Sequence, residues 1–404
     1  MPTSHALGDD ERHAGGRFVA NRVLMTLLVA ALIGAVALPF AAMAPNRLVS
    51  GQAVGLIEAL RPWQWAGLIG LALALIVCAL RRPLPRPHAH RLTLTLAPLW
   101  LLLVAYGLGD YAQRALVDAS PAARVSQSAA FWVLAFCPTL MIVDAFQRLR
   151  TGLALRGAYA VIVLAALAAL FAAGTFAALS IMREYANNRD TFAAELARHL
   201  FLVGSALGPA LLIGLPLGLL AHRRPGVRGT LFGMLNFLQT IPSIALFALL
   251  VAPLAALSDA FPLLDALGVS GIGATPAIIA LILYSLLPVV RNTYAGFAGV
   301  APATLEAARG MGLTPRQLLW RVEVPLALPV ILSGLRIVTV QAIGLTVVAA
   351  LIGAGGLGAF IFQGLGQYAI DLVLLGAVPT IALAVIADFV LQLFVALSRP
   401  AGAR

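Results

Sequence analysis

Charged side chains that could contact another protein are concentrated in one polar segment, residues 300–329. The segment lies between two apolar stretches that are each long enough to approach the width of a bilayer. Among its charged residues, Glu306, Arg309, Arg316 and Arg321 are available for a partner. Side chains of both signs on a short surface element are suited to docking a partner protein.

The order of residues in this segment predicts two short helices. Pro302 suits the first turn of a helix, where a missing N–H costs nothing. Gly312 can adopt the positive φ that ends a helix. Thr314 and Gln317 have the spacing of a capping box for a second helix, which we expect Pro325 to stop. The prediction is a helix–turn–helix element at the membrane surface.

No catalytic constellation is visible elsewhere in the sequence. Ser243 and Ser285 have no acid–base partner near them, and no pair of histidines has the HExxH spacing of a zinc protease. The chain contains no lysine, and a P-loop needs a terminal lysine to reach the phosphates of a nucleotide. We therefore predict no catalytic residues, no metal ligands and no cofactor in this chain, which is not expected to be an enzyme.

Composition places the chain in a membrane. Of 404 residues, 61% are hydrophobic and 11% are charged, against roughly 25% charged in soluble domains. The formal net charge is +11, but the arginines fall between apolar stretches instead of clustering on one soluble face as in nucleic-acid binders. The sequence thus predicts an all-α integral membrane protein that contacts lipid and binds no nucleic acid.

Hydropathy predicts about ten membrane spans, most of them approaching the roughly 20 residues that a crossing needs. Most arginines fall on one side if the N-terminus is cytoplasmic, which predicts that both termini and the segment 300–329 are cytoplasmic. In this scheme Arg336 lies at the start of the ninth span. The predicted spans are 23–41, 65–80, 92–108, 129–146, 157–181, 200–221, 229–257, 275–291, 328–352 and 370–397.

The chain is predicted to divide near residue 190. Residues 1–190 form an N-terminal membrane extension with about five spans, and residues 191–404 form a second unit with five. The polar stretch 182–199 between them is expected outside the cytoplasm, with residues 191–198 as an amphipathic surface helix.

Four residues within the predicted spans of the second unit are candidates for a translocation path. Asn236, Gln239 and Gln341 could line a polar route or join helices by hydrogen bonds. Pro242 removes a backbone hydrogen bond and can kink its helix, as a hinge or as part of static packing.

Other features of the spans have plainer interpretations. Asp144 and Asp388 near the inner ends, and Asp371 near the outer end, are expected to be solvated, although an ionisable residue at membrane depth is a functional candidate. A glycine-rich stretch after the ninth span predicts tight backbone packing near an outer gate. Its glycines are Gly353, Gly355, Gly356 and Gly358.

The polar segment also resembles a known motif. Glu306-Ala307-Ala308, three residues, Gly312, nine residues and Val322-Glu323-Val324-Pro325 are similar to the EAA motif of bacterial ABC importer permeases. The resemblance implies that 300–327 is a coupling loop whose first helix enters a groove of an ATP-binding subunit, which carries ATP and Mg²⁺. The coupling residues implied are Glu306, Ala307, Ala308, Arg309, Gly312 and Pro325.

Three further stretches, 239–243, 271–297 and 351–362, resemble permeases for glycine betaine, choline and related osmoprotectants. The long N-terminal region is similar to the extended permease of the Yeh-type osmoprotectant system. The resemblance implies that the last five spans form a type I ABC importer (MetI-like) permease core in a bacterial inner membrane. Besides the ATP-binding subunit, it implies a periplasmic substrate-binding protein and a second permease, identical or paralogous.

Two alternatives stay open at this point. The importer could take another small solute, such as one resembling an amino acid, in place of a quaternary-ammonium osmolyte. A secondary transporter is the other alternative, which would require paired inverted halves and broken helices with intramembrane ion ligands.

Overall fold

A computed structural model describes residues 19–47, 49, 51–80 and 84–398. The chain forms two compact units, Met1–Arg183 and Glu184–Arg404. Both ends of the chain lie outside the described residues. The prediction that the termini are cytoplasmic therefore concerns residues that the structure does not describe.

The first unit is a helical bundle with a small sheet. The short strands β1 (Ala41–Ala44), β2 (Gln52–Val54) and β3 (Arg124–Gln127) form an antiparallel sheet in the order β2-β1-β3, which the sequence analysis did not predict. The helices are α1 (Arg22–Ala37), α2 (Leu56–Ala59), α3 (Pro62–Ala79), α4 (Arg86–Ala115), α5 (Ala129–Leu149) and α6 (Leu153–Ala172).

One buried carboxylate joins the ends of two helices in this unit. Asp110 of α4 accepts hydrogen bonds from Arg61 and Gln64 at the start of α3, with Nη2 of Arg61 2.9 Å from Oδ1 of Asp110. Arg114, one turn further along α4, also donates to Asp110 and to the carbonyl of Ala59. The hydrogen bonds from Arg61 to Asp110, together with the negative charge of Asp110, raise the pKa of Arg61. A buried charge is tolerated here because each carboxylate oxygen has charged or polar partners.

The second unit contains the long helices of the C-terminal half. In the sequence, α7 (Ser180–Asn187) contains the boundary between the units. The remaining helices are α8 (Arg189–Arg223), α9 (Pro225–Thr240), α10 (Ser243–Ala260), α11 (Pro262–Ala266), α12 (Ala274–Ala298), α13 (Pro302–Gly310), α14 (Pro315–Leu318), α15 (Val324–Ala349), α16 (Gly358–Gly366) and α17 (Ile370–Ser398). A π-helical turn, Leu319–Glu323, joins α14 to α15, and a 3₁₀ turn, Ala350–Ile352, follows α15.

Nine helical segments in the described part of the chain are long and apolar enough to cross a membrane. The prediction of a separate surface helix at 191–198 is wrong, because these residues form the first turns of the 35-residue α8. The first predicted span, 23–41, contains only the 16-residue α1, which is shorter than the other nine.

The predicted span 229–257 is also wrong as one continuous helix. The structure has two helices there, α9 and α10, with Ile241 and Pro242 between them. Pro242 has no N–H to continue the hydrogen-bond ladder, so the break falls where proline disfavours a continuous helix.

Small residues allow α8 to lie close to α12. A Cβ added at Gly214 would be 2.6 Å from a methyl group of Val289, and one at Gly218 would be 2.5 Å from Cβ of Thr293. Close approach at small residues is the usual way in which membrane helices gain packing energy, since lipid is as apolar as the side chains.

We predict that Gly218→Val destabilises the second unit by about 1–3 kcal/mol, because the side chain must displace Thr293 or the backbone of α12. Thermal unfolding of the detergent-solubilised protein measures the loss. Gly208→Val, on the same helix with open space around its Cβ position, is the matched control. Equal melting temperatures for the two variants would contradict the packing described here.

Candidate functional site

The polar segment 300–329 forms the predicted helix–turn–helix element, here called the knuckle (Pro302–Glu323). Its first helix, α13, begins with Pro302 at its first position. Gly312 has φ +79°, the left-handed conformation that the turn requires. Thr314 and Gln317 form the predicted capping box, with the backbone N–H of Thr314 2.9 Å from Oε1 of Gln317.

The second helix of the knuckle does not stop where the sequence suggested. Pro325 lies at the second position of α15 and helical backbone continues from Pro315 to Ala349. The π turn explains the difference: the N–H of Val324 bonds the carbonyl of Leu319, five residues earlier. A π turn inserts one extra residue into the helix, which shifts the hydrogen-bond register immediately before the proline. The prediction that Pro325 ends the helix is therefore wrong.

Two contacts attach the knuckle to its own chain. Glu323, whose side chain is 2% exposed, forms an ion pair with Arg223 in the last turn of α8. Ala308 and Leu318 are also buried. Ala308 therefore packs inward, whereas the neighbouring Ala307 is exposed.

The opposite side of the knuckle is open. The charged residues Glu306, Arg309, Arg316 and Arg321 are exposed, as is Ala307. Two large apolar side chains are exposed beside them, Met311 (74%) and Trp320 (63%). Apolar side chains surrounded by charges on a short element are typical of a protein interface. Sequence analysis identified the charges but missed Met311 and Trp320, since apolar residues do not stand out in so apolar a chain.

The path candidates Gln239 and Pro242 lie at a hydrogen-bonded helix break. Nε2 of Gln239 donates to the carbonyl of Tyr284 in α12 at 2.8 Å. That carbonyl has lost its usual donor, because the residue four positions later is Pro288. In return the hydroxyl of Tyr284 donates to the carbonyl of Ile241 in the break. Gln239 thus replaces the donor that Pro288 removed from α12, and Tyr284 supplies a donor to a carbonyl in the break between α9 and α10.

The other two path candidates take no part in the hydrogen bonds between Gln239, Tyr284 and Ile241. Asn236 is exposed and accepts a hydrogen bond from Arg291 of α12 at 3.3 Å. Gln341 is half-buried in α15. The structure therefore brings Gln239 and Pro242 together with Tyr284, but it does not assemble all four candidates into one site.

The glycine-rich stretch packs tightly, as predicted. Gly353, Gly355 and Gly356 all have positive φ, and a Cβ on Gly358 would lie 2.1 Å from the carbonyl oxygen of Val347. Two residues of α8 hold this backbone: Glu195 accepts from the N–H of Gly356, and Arg198 Nε donates to the carbonyl of Ala354 at 3.0 Å. Sequence analysis did not pair these elements, since about 160 residues separate them.

Among the described residues, no group of three or more histidine, cysteine, aspartate or glutamate side chains could hold a metal ion. The geometry of the knuckle, with exposed charges beside Met311 and Trp320, is suited to docking a partner protein.

These features define a membrane subunit of a transport system. Residues 210–399 match the family described as binding-protein-dependent transport system inner membrane component, and residues 21–182 match the N-terminal domain of the ABC transporter permease YehY. The chain belongs to the family of binding-protein-dependent transport system inner membrane components.

Curated relatives resemble the C-terminal half. The osmoprotectant import permease protein OsmW of Salmonella typhimurium is 40% identical over 218 residues, which are 54% of this chain and 96% of that protein. The choline transport system permease protein OpuBB of Bacillus subtilis is 41% identical over 201 residues, 50% of this chain and 84% of that protein. The carnitine transport permease protein OpuCB of Listeria monocytogenes is 39% identical over 212 residues, 52% of this chain and 90% of that protein.

A chain of the inward-facing MetNI methionine ABC transporter is similar over 52% of this chain and 96% of its own length, with a TM-score of 0.46 and 23% identity.

We predict that Gln239→Leu destabilises the second unit by about 1 kcal/mol, because the carbonyl of Tyr284 then has no donor. Asn236→Leu, three residues earlier on the exposed side of α9, is the control and is expected to have a smaller effect. Thermal unfolding in detergent compares the two variants. A larger loss of stability for Asn236→Leu would contradict the stabilising role of the hydrogen bond from Gln239 to Tyr284.

Proposed function

We propose that this chain is the permease subunit of an ATP-driven importer for glycine betaine or related quaternary-ammonium osmoprotectants. The observation that carries the proposal is the knuckle, an exposed docking surface joined by unbroken helix to the membrane helix α15. Relatives named for osmoprotectants, choline and carnitine support the substrate class.

The proposal includes three partners. An ATP-binding subunit would receive α13 of the knuckle and would carry ATP and Mg²⁺, because this chain has no lysine for a P-loop. A periplasmic substrate-binding protein would deliver the solute, as the family description implies. A second permease, identical or paralogous, would complete the path. The chain itself would catalyse no reaction.

The proposed location is the bacterial inner membrane with both termini in the cytoplasm. The distribution of arginine favours this orientation. It places the knuckle on the side where ATP is available.

The proposed mechanism follows from the knuckle's connections. When two ATP-binding subunits close on ATP, they move the docked knuckle. Because the backbone from Pro315 to Ala349 is one helix, this movement reaches the interior of the membrane through α15. The Glu323–Arg223 ion pair carries it to α8 as well. The path then changes between outward- and inward-facing states.

The docking step is tested with Glu306→Arg. We expect the variant to lose co-purification with the ATP-binding subunit and to lose binding-protein-dependent uptake, because an exposed charge on the docking face is reversed. Glu58→Arg, an exposed glutamate of the first unit, is the control. Unchanged co-purification and uptake in Glu306→Arg would overturn the proposal.

The transmission step is tested by inserting two glycines between Trp320 and Arg321. Glycine weakens the helix at the π turn, so we expect ATP hydrolysis by the assembled importer to continue while uptake per ATP falls. The same insertion after Gly268, in a turn with φ +79° beyond α11, is the control. Full coupling in the first variant would mean that motion does not pass along this helix.

A further inference from the structure

Two oppositely charged side chains meet between α15 and α17. The guanidinium of Arg336 donates two hydrogen bonds to the carboxylate of Asp388, one from Nε to Oδ1 and one from Nη2 to Oδ2, the latter at 2.7 Å. This bidentate geometry is the strongest arrangement for an arginine–carboxylate pair. From the sequence, Arg336 was predicted at the start of a span and Asp388 near a span end, where it was expected to be solvated; no pairing of the two was predicted.

The pair lies far from the ends of both helices. Arg336 is twelve residues after the start of α15 and thirteen before its end, or about 18–20 Å along the helix in each direction. Asp388 is ten residues before the end of α17, about 15 Å along that helix. The expectation that Arg336 lies at a helix start is therefore wrong.

The pair is not enclosed by its own chain. The side chains of Arg336 and Asp388 are 36% and 35% exposed. Charged groups at membrane depth rarely face lipid; they face protein or a water-filled cavity. This side of α15 and α17 is therefore turned toward the path or toward another subunit.

The neighbouring residues of α15 favour a path. Ser333, Arg336 and Thr339 recur every three residues, which places them on one side of the helix. All three are half-buried, and the hydroxyls of Ser333 and Thr339 bond carbonyls of their own helix at 2.8 Å. A polar stripe on an otherwise apolar helix is suited to contact a hydrated solute.

We propose that Arg336 and Asp388 form a binding site for zwitterionic solutes that carry a quaternary ammonium and a carboxylate. The inference rests on the function proposed above and specifies where this chain contacts the solute. The solute carboxylate lies against Arg336 and its ammonium lies against Asp388.

The chemistry of the two groups allows this without separating them. A guanidinium has five N–H donors, of which Asp388 uses two, so donors remain for a second carboxylate. A quaternary ammonium has no N–H, so its attraction to Asp388 is electrostatic and needs no particular hydrogen-bond direction. The bound zwitterion adds no net charge to the membrane interior, which avoids the cost of burying an unpaired ion.

The test compares uptake of glycine betaine, a zwitterion, with uptake of choline, a cation without a carboxylate, by the complete importer in proteoliposomes. We expect Arg336→Gln to lower the glycine betaine to choline uptake ratio by about tenfold, because only the zwitterion loses a charge-assisted hydrogen bond. Arg336→Lys keeps the positive charge and is expected to restore most of the ratio. Arg148→Gln breaks another arginine–aspartate pair, in the first unit, and should leave the ratio unchanged.

A second variant covers the case in which Arg336→Gln fails to fold with Asp388 unpaired. The double variant Arg336→Gln, Asp388→Asn has no charge at this place, so it avoids an uncompensated ion, and we expect it to lose the preference for the zwitterion. An unchanged ratio in this variant overturns the inference, including when uptake of both solutes falls equally, since the pair then only joins helices or subunits. Absence of uptake of either solute by the unaltered importer would instead overturn the proposed function itself.

Discussion

The proposed coupling depends on one unbroken helix that passes from a polar surface into an apolar membrane span. Proline at position 325 would normally end such a helix, because it lacks an N–H and its ring clashes with the preceding turn. The π turn at Leu319–Glu323 changes the hydrogen-bond register just before this proline, and the helix continues. A flexible link here would absorb movement, whereas a continuous helix transmits it.

The need to pair backbone hydrogen-bonding groups also applies where the helix breaks, at Ile241–Pro242. Within a bilayer, carbonyl and N–H groups without partners are costly, so a broken helix persists only where other groups replace the lost bonds. Here the hydroxyl of Tyr284 donates to the carbonyl of Ile241 in the break, and the amide of Gln239 donates to the carbonyl of Tyr284 in α12. The break at Ile241–Pro242 therefore has a fixed set of side-chain hydrogen bonds, those of Gln239 and Tyr284. If α9 and α12 moved apart here, only the carbonyls of Ile241 and Tyr284 would lose these side-chain donors.

Local sequence signals predicted the parts of this structure that depend on neighbouring residues. The capping box at Thr314, the turn at Gly312 and the approximate positions of most spans follow from hydrogen bonding and hydropathy over a few residues. Contacts between distant residues were not predictable in this way. The pairs Arg336–Asp388 and Arg223–Glu323 span 52 and 100 residues, and no residue near either member of a pair in the sequence indicates its partner. Pro325 was misjudged because a π turn has no clear sequence signal.

Continuity of the helix also relates the two places where this chain is proposed to meet other molecules. Trp320, on the exposed side of the knuckle, and Arg336 are sixteen residues apart on one helical run, or about 24 Å at 1.5 Å per residue. Asp388 lies on α17, which is a separate element. A movement of the knuckle that shifts or rotates α15 therefore changes the position of Arg336 relative to Asp388. A solute held by both charges would be bound well in one arrangement and poorly in the other, which is the differential affinity that any coupling between two sites requires.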